Sequence, residues 1–137
     1  MIIRPFEESD TKAVAAIWRE VFPNNPPWNI PERDIEMKLN TQRELFFVAE
    51  IDSAVIGTVM AGYDGHRGWV YYMTVSPEHQ RKGIGEALMR HVESELKKLG
   101  CHKLNLQVRS SNSGVVEFYK KLGYKIDDHV SMGKLLE

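Results

Sequence analysis

The sequence predicts a single mixed α/β domain, residues 1–137, with about seven strands and four helices. Three observations carry that prediction. Short runs rich in β-branched and aromatic residues recur along the chain, separated by stretches whose apolar residues fall at helical spacing. The run Tyr72-Met73-Thr74-Val75 stops at Ser76-Pro77 and passes through a basic loop into Gly83-Ile84-Gly85, which opens a long amphipathic stretch. A further strand follows that stretch, and strand–helix–strand implies a parallel, right-handed crossover.

Taken in order, Met1 to Phe6 reads as a first strand, stopped near Pro5. Ser9 or Asp10 can cap a helix that carries Ala13, Val14, Ile17, Trp18 and Val21 on one face. Phe22 to Pro31 is dense in Pro and Asn and reads as an irregular loop. Pro31 suits a first helical position, and a short second helix runs through Ile35 and Leu39 to Asn40. Leu45 to Ile51 and Val55 to Tyr63 form a hairpin through Asp52-Ser53, and a second turn at 62–68 leads into the strand from Trp69 to Val75. The helix from Ile84 to Leu99 aligns Ile84, Leu88, Val92 and Leu96, with Gly100 as its C-cap. Lys103 to Val108 alternates as a strand, and Asn112 or Ser113 starts a last helix closed by Gly123. Tyr124 to Ile126 and Val130 to Leu135 are expected to form a final hairpin through Asp127-Asp128.

Composition narrows the class of partner. The net charge of −1 argues against a general nucleic-acid binder. The lone Cys101 excludes an internal disulfide, fits a reducing compartment and reads as a packing residue. No 18-residue apolar run and no signal-peptide pattern occur, so no membrane association is expected and the cytoplasm is the expected location. His79, His91, His102 and His129 show no metal-ligand spacing, and no metal is expected.

The glycine loop carries the first functional signal. The N–H groups of a helix start are unpaired and the helix dipole favours negative charge there, while Gly83 and Gly85 leave the backbone open to approach. A phosphate-bearing ligand is implied. A dinucleotide fingerprint needs a third glycine where Leu88 stands, and a Walker loop needs a Gly-Lys-Ser/Thr triplet that the chain lacks. The spacing Gln80-x-x-Gly83-x-Gly85 after strand and Ser-Pro resembles the GNAT-type N-acetyltransferases, in which this loop cradles the pyrophosphate of coenzyme A. Asn112-x-x-Val115-x-x-Phe118-Tyr119-x-x-x-Gly123-Tyr124 resembles the second signature of that family, with Val115 and Tyr124 as mild departures. The chain is similar in particular to small, single-domain bacterial acetyltransferases of unassigned substrate.

The resemblance implies a mixed, mostly antiparallel central sheet whose fourth and fifth strands splay apart. It implies acetyl-CoA as co-substrate and transfer of the acetyl group, by direct attack, to a primary amine of a small molecule or peptide. Met73, Thr74 and Val75 are expected to bind the pantetheine arm, and Gln80, Arg81, Lys82, Gly83, Ile84, Gly85 and Glu86 the pyrophosphate. Asn112 is expected to bind the cofactor or to cap its helix, and Tyr119 to contact the cofactor and protonate the departing thiolate. Many relatives carry a Glu where this chain has Tyr71, which leaves the general base open among Tyr71, Tyr72, Asp64, His66 and bulk water. For a cationic acceptor, Trp28, Tyr63, Asp64 and His66 are expected to line the site, with Glu32, Asp34 and Glu36 nearby. A monomer or homodimer is expected. The alternative from another class is a non-catalytic acyl-CoA-binding regulatory module on the same scaffold.

Overall fold

The computed structural model describes residues 1–136, which divide into two compact units, Met1–Gln107 and a second beginning at Val108. The first unit is built on a five-stranded sheet: β1 (Ile2–Pro5), β2 (Phe46–Ile51), β3 (Ala54–Tyr63), β4 (Gly68–Val75) and β5 (Leu104–Leu106). The strands lie in chain order across the sheet. The pairs β1–β2, β2–β3 and β3–β4 are antiparallel, and β4–β5 is parallel.

Helices cover both faces. α1 (Thr11–Val21) and α2 (Pro31–Leu39) pack on one, where Phe6, Val14, Trp18, Ile35, Phe46, Val48 and Met60 form a core. Phe6 and Phe46 stack with ring centroids 4.4 Å apart, and Trp18 lies over Phe46 at 6.0 Å. α3 (Ile84–Lys98) covers the other face, burying Leu88, Met89, Val92 and Leu96 and setting His91 edge-on to Phe47 at 4.5 Å. The period of 3.6 in α3 and of 2 in β2 supplies these opposed apolar faces. Gly68 is closely packed: a Cβ there would lie 2.9 Å from Leu96 Cδ1 and 3.0 Å from Cys101 Sγ. Cys101 is thus a packing residue, its thiol donating to the Lys103 carbonyl.

The start of α1 differs from expectation in its chemistry. Asp10 sits at the cap position, but its carboxylate turns back to accept from the Glu7 N–H and from Arg4. Arg4 also reaches Glu50 Oε1 at 3.0 Å, tying β1, the entry to α1 and β2 together.

The second unit holds α4 (Ser113–Lys121), which Asn112 caps by accepting from the Val115 N–H at 3.4 Å. The expected count of seven strands is corrected to five among the described residues. Residues 124–126 and 130–135 join no sheet. Ile126, Val130 and Met132 are 76%, 87% and 90% exposed, so their β-branched and apolar character buries nothing, and a strand needs both a ladder partner and a face to cover. The expected strand at 103–108 shortens to Leu104–Leu106. No helix among the described residues is long and apolar enough to cross a membrane.

Candidate active site

The site is organised by an irregularity in β4. Thr58 faces Thr74 while Met60 faces Tyr71, so β4 carries one residue more than β3 between those pairs. That is a β-bulge, and Tyr72 within it has φ 51°, a left-handed conformation that costs a non-glycine residue about 1 kcal/mol or more. Three contacts hold it. The Thr58 hydroxyl donates to the Tyr72 carbonyl at 2.8 Å and accepts from Trp18 Nε1 at 2.9 Å. The Tyr72 ring stacks on Trp18, centroids 3.8 Å apart and planes 8° off parallel. The Tyr72 hydroxyl donates to Asp34 Oδ2 at 2.7 Å. Burial and the Asp34 carboxylate together push the Tyr72 phenol well above its ordinary pKa, so the hydroxyl keeps its proton.

β5 pairs with β4 only from Gly68 to Val70. From Tyr71 to Val75 no strand among the described residues joins β4 on that side, which leaves an edge of its backbone open to an added strand. Thr74 is buried there, and its hydroxyl has no partner among the described residues. Gln80 Nε2 donates to the Val75 carbonyl at 3.0 Å, fixing the turn that leaves the strand.

The loop beyond that turn is an anion cradle in its local geometry. Arg81 has φ 65° and Gly83 φ 79°, and α3 begins at Ile84. The first backbone N–H that the helix claims is that of Ala87, bonded to the Gly83 carbonyl at 3.1 Å. Among the described residues, the N–H groups from Arg81 to Glu86 have no backbone acceptor. A Cβ on Gly83 would meet nothing within 4 Å, so space lies over the turn. Unclaimed donors, a helix dipole and open space suit an anion such as a phosphate group.

A groove of about 510 Å³ lies beside the bulge, with Asn29, Asp34, Met37, Lys38, Tyr71 and Tyr72 in its walls. Tyr71 stands there half-exposed. Of the residues expected on the acceptor side, Trp28, Tyr63, Asp64 and His66 do not line it. Asp64 Oδ1 accepts from the N–H groups of Arg67 and His66 at 2.7 and 2.8 Å, which closes the β3–β4 turn and lowers the carboxyl's pKa. Tyr63 is held through its backbone by the Gln42 amide. Trp28 is exposed, its carbonyl accepting from Arg33. The guanidinium of Arg19 grips Glu32 in a two-bond pair and lowers its carboxyl to about 2. Sequence reasoning missed the pairing of Asp34 with Tyr72; the only signal was an acidic residue in the first turn of α2.

Within the second unit, Tyr119 is buried and burial pushes its phenol up to about 12. Its ring meets Phe118 and Tyr124 edge-on at 5.0 and 5.6 Å. No group of three or more His, Cys, Asp or Glu side chains among those residues is placed to hold a metal.

Comparison with known proteins assigns this architecture. The model of the acetyltransferase (GNAT) family matches residues 11–124. An acetyltransferase of Yersinia enterocolitica is 46% identical over 136 residues, spanning 99% of this chain and 96% of that protein. The ribosomal-protein-S18-alanine N-acetyltransferase from Escherichia coli superposes with a TM-score of 0.74 at 28% identity, covering 89% of this chain and 76% of that one. Ard1 from Thermoplasma volcanium shares the fold, with a TM-score of 0.80 at 24% identity over 92% of this chain and 83% of its own. The class is that of acyl-transferring enzymes on a mixed α/β sheet. The chain belongs to the acetyltransferase (GNAT) family, and acetyl-CoA is its co-substrate.

Proposed function

We propose that this acetyltransferase moves the acetyl group of acetyl-CoA directly to a primary amine of a small molecule or peptide. The observation that carries the reading is the lining of the groove beside β4: a carboxylate, two tyrosines and a lysine turned to a β3 carbonyl, and no thiol that could hold the acetyl group on the protein. The one cysteine lies in the turn before β5, packed under Gly68. A groove that offers a carboxylate and hydroxyls, with its one ammonium turned to a β3 carbonyl, suits a cationic amine.

In this reading the N–H groups from Arg81 to Glu86 bind the pyrophosphate, with the Arg81 and Lys82 side chains adding charge and Gln80 fixing the loop. The pantetheine arm pairs with the open edge at Met73 and Val75 as an added strand, with Thr74 beside it. Asn112 serves its helix as a cap and contributes to cofactor binding. The amine nitrogen attacks the thioester carbonyl, a C–N bond forms and the C–S bond breaks. Tyr119 gives its proton to the departing thiolate and recovers one from the amine through solvent; a phenol raised by burial stays protonated at neutral pH, as an acid must.

The test is release of coenzyme A in the presence of a panel of primary amines and amine-bearing peptides, for wild type and Tyr119→Phe. Wild type is expected to turn over, and the variant to lose about 10²-fold in kcat with acetyl-CoA affinity unchanged. Acetyl-CoA binding with no release for any amine would point to the non-catalytic binding module instead. Full turnover by Tyr119→Phe would remove the tyrosine from the chemistry.

A further inference from the structure

The groove beside β4 contains one carboxylate, Asp34, and one ammonium, Lys38, which do not pair with each other. Asp34 lies in the first turn of α2, its N–H donating to the Ile30 carbonyl at 2.9 Å. Its Oδ2 takes the Tyr72 hydroxyl at 2.7 Å, while Oδ1 meets no donor among the described residues. The phenol that holds it is itself fixed, stacked on Trp18 and set edge-on to Phe22 at 5.8 Å. Asp34 is therefore aimed by a rigid ring, with one oxygen engaged and one open.

The nearest cation by helix spacing is Lys38, four residues on and lining the same groove. Such a pair on a helix ordinarily joins. Here it does not: the Lys38 ammonium donates to the Ala61 carbonyl of β3, and among the described residues no ion pair forms between Lys38 and Asp34. Glu32, the other first-turn acid, is spent on Arg19. A half-buried carboxylate with an unfilled oxygen calls for a cation or a donor from outside.

We propose that Asp34 is the acceptor-binding carboxylate, which receives the ammonium or protonated amine end of the substrate and makes the enzyme select cationic amines over uncharged ones. This rests on the N-acetyltransferase reading. The rival explanation gives Asp34 only a structural task, as the anchor of Tyr72 and so of the bulge. The two differ in what each variant removes. Asp34→Asn keeps the size and a hydrogen-bond partner for Tyr72 but loses the charge; Tyr72→Phe loses the bond and keeps the charge.

The experiment measures steady-state kinetics at saturating acetyl-CoA with 1,4-diaminobutane, L-lysinamide and a peptide with a free N-terminal amine, beside 2,2,2-trifluoroethylamine, a weak base uncharged at the assay pH. Asp34→Asn is expected to lower kcat/KM about 100-fold for the charged acceptors and by less than about threefold for the uncharged one, with the KM for acetyl-CoA unchanged. Asp34→Glu should recover much of the loss, and Tyr72→Phe should lose less than Asp34→Asn. Equal losses for charged and uncharged amines, or a loss in Tyr72→Phe as deep as in Asp34→Asn, would return Asp34 to the structural task. Charged-amine kinetics within about threefold of wild type in folded Asp34→Asn would overturn the proposal alone. Failure of the wild type to acetylate any amine, with acetyl-CoA bound, would overturn the N-acetyltransferase reading and this proposal with it.

Discussion

Thr58 is fully buried and serves two partners that are distant in the chain, 40 residues away at Trp18 and 14 away at Tyr72. Valine in its place keeps the shape but can neither accept from the indole nor donate to the carbonyl. Two buried polar groups lose their bonds, and an unmet buried group costs about 1–3 kcal/mol. Thr58→Val is expected to destabilise the protein by about 3 kcal/mol in urea unfolding, more than its small change in volume explains. A shift below about 0.5 kcal/mol would mean that water or a rearranged Tyr72 replaces the hydroxyl at little cost. The same residue shows why part of the site was hidden in the sequence. Nothing in Thr58, Trp18 or Tyr72 taken singly announces a hydrogen-bonded chain, and a left-handed tyrosine inside a strand contradicts the local preference that marks the strand. Tertiary contacts impose it.

At the scale of elements, the glycine turn before α3 was legible because it is local. Gly83 needs its positive φ, Gly85 opens the helix, and the apolar stripe from Ile84 to Leu96 declares its own period. β2, β3 and β4 were legible for the same reason. The two strands expected after Tyr124 failed because composition reports what a residue can do in a sheet, not whether an edge is there to receive it. Asp34 was visible as an acid on a short helix; its pairing with Tyr72, 38 positions on, depends on how α2 lies against β4. The cradle itself permits a graded test. Gly83→Ala places a methyl in open space at an unfavourable φ, and about 1 kcal/mol of stability should be lost with acetyl-CoA affinity within about threefold of wild type. Gly83→Glu carries the same backbone penalty and adds negative charge at the helix start. Titration calorimetry should find it at least about tenfold weaker for acetyl-CoA than Gly83→Ala. Equal affinities for the two would move the pyrophosphate elsewhere.

Across the first unit as a whole, the Arg4–Asp10–Glu50 network joins three elements whose sequence positions are far apart. The Arg4 guanidinium holds the Asp10 carboxyl below its ordinary pKa, opposed by burial and helped by the Glu7 N–H. A carboxyl depressed in the folded state stabilises the protein above its unfolded pKa, near 4, and that contribution fades as pH falls from there through the folded value. Asp10→Asn should therefore cost about 2 kcal/mol at pH 7 and progressively less below about pH 4. Chemical denaturation of both proteins at a series of pH values checks it; a constant difference would mean that the charge of Asp10 is not what stabilises this corner.

The agreement between strand order and chain order has a consequence for how the sheet is assembled. No strand has to be inserted between two that are already joined, so from β2 onward each new strand needs only the edge its predecessor has just exposed. The hairpins β2–β3 and β3–β4 close over short turns, and β5 returns to the same growing edge after one helix. Such a sheet can be laid down in the direction of synthesis, as the chain leaves the ribosome. β1 alone must wait: Pro5 pairs with Phe47, and two helices are made before its partner exists. The entropy of closing that loop falls on the one strand that comes first and joins late.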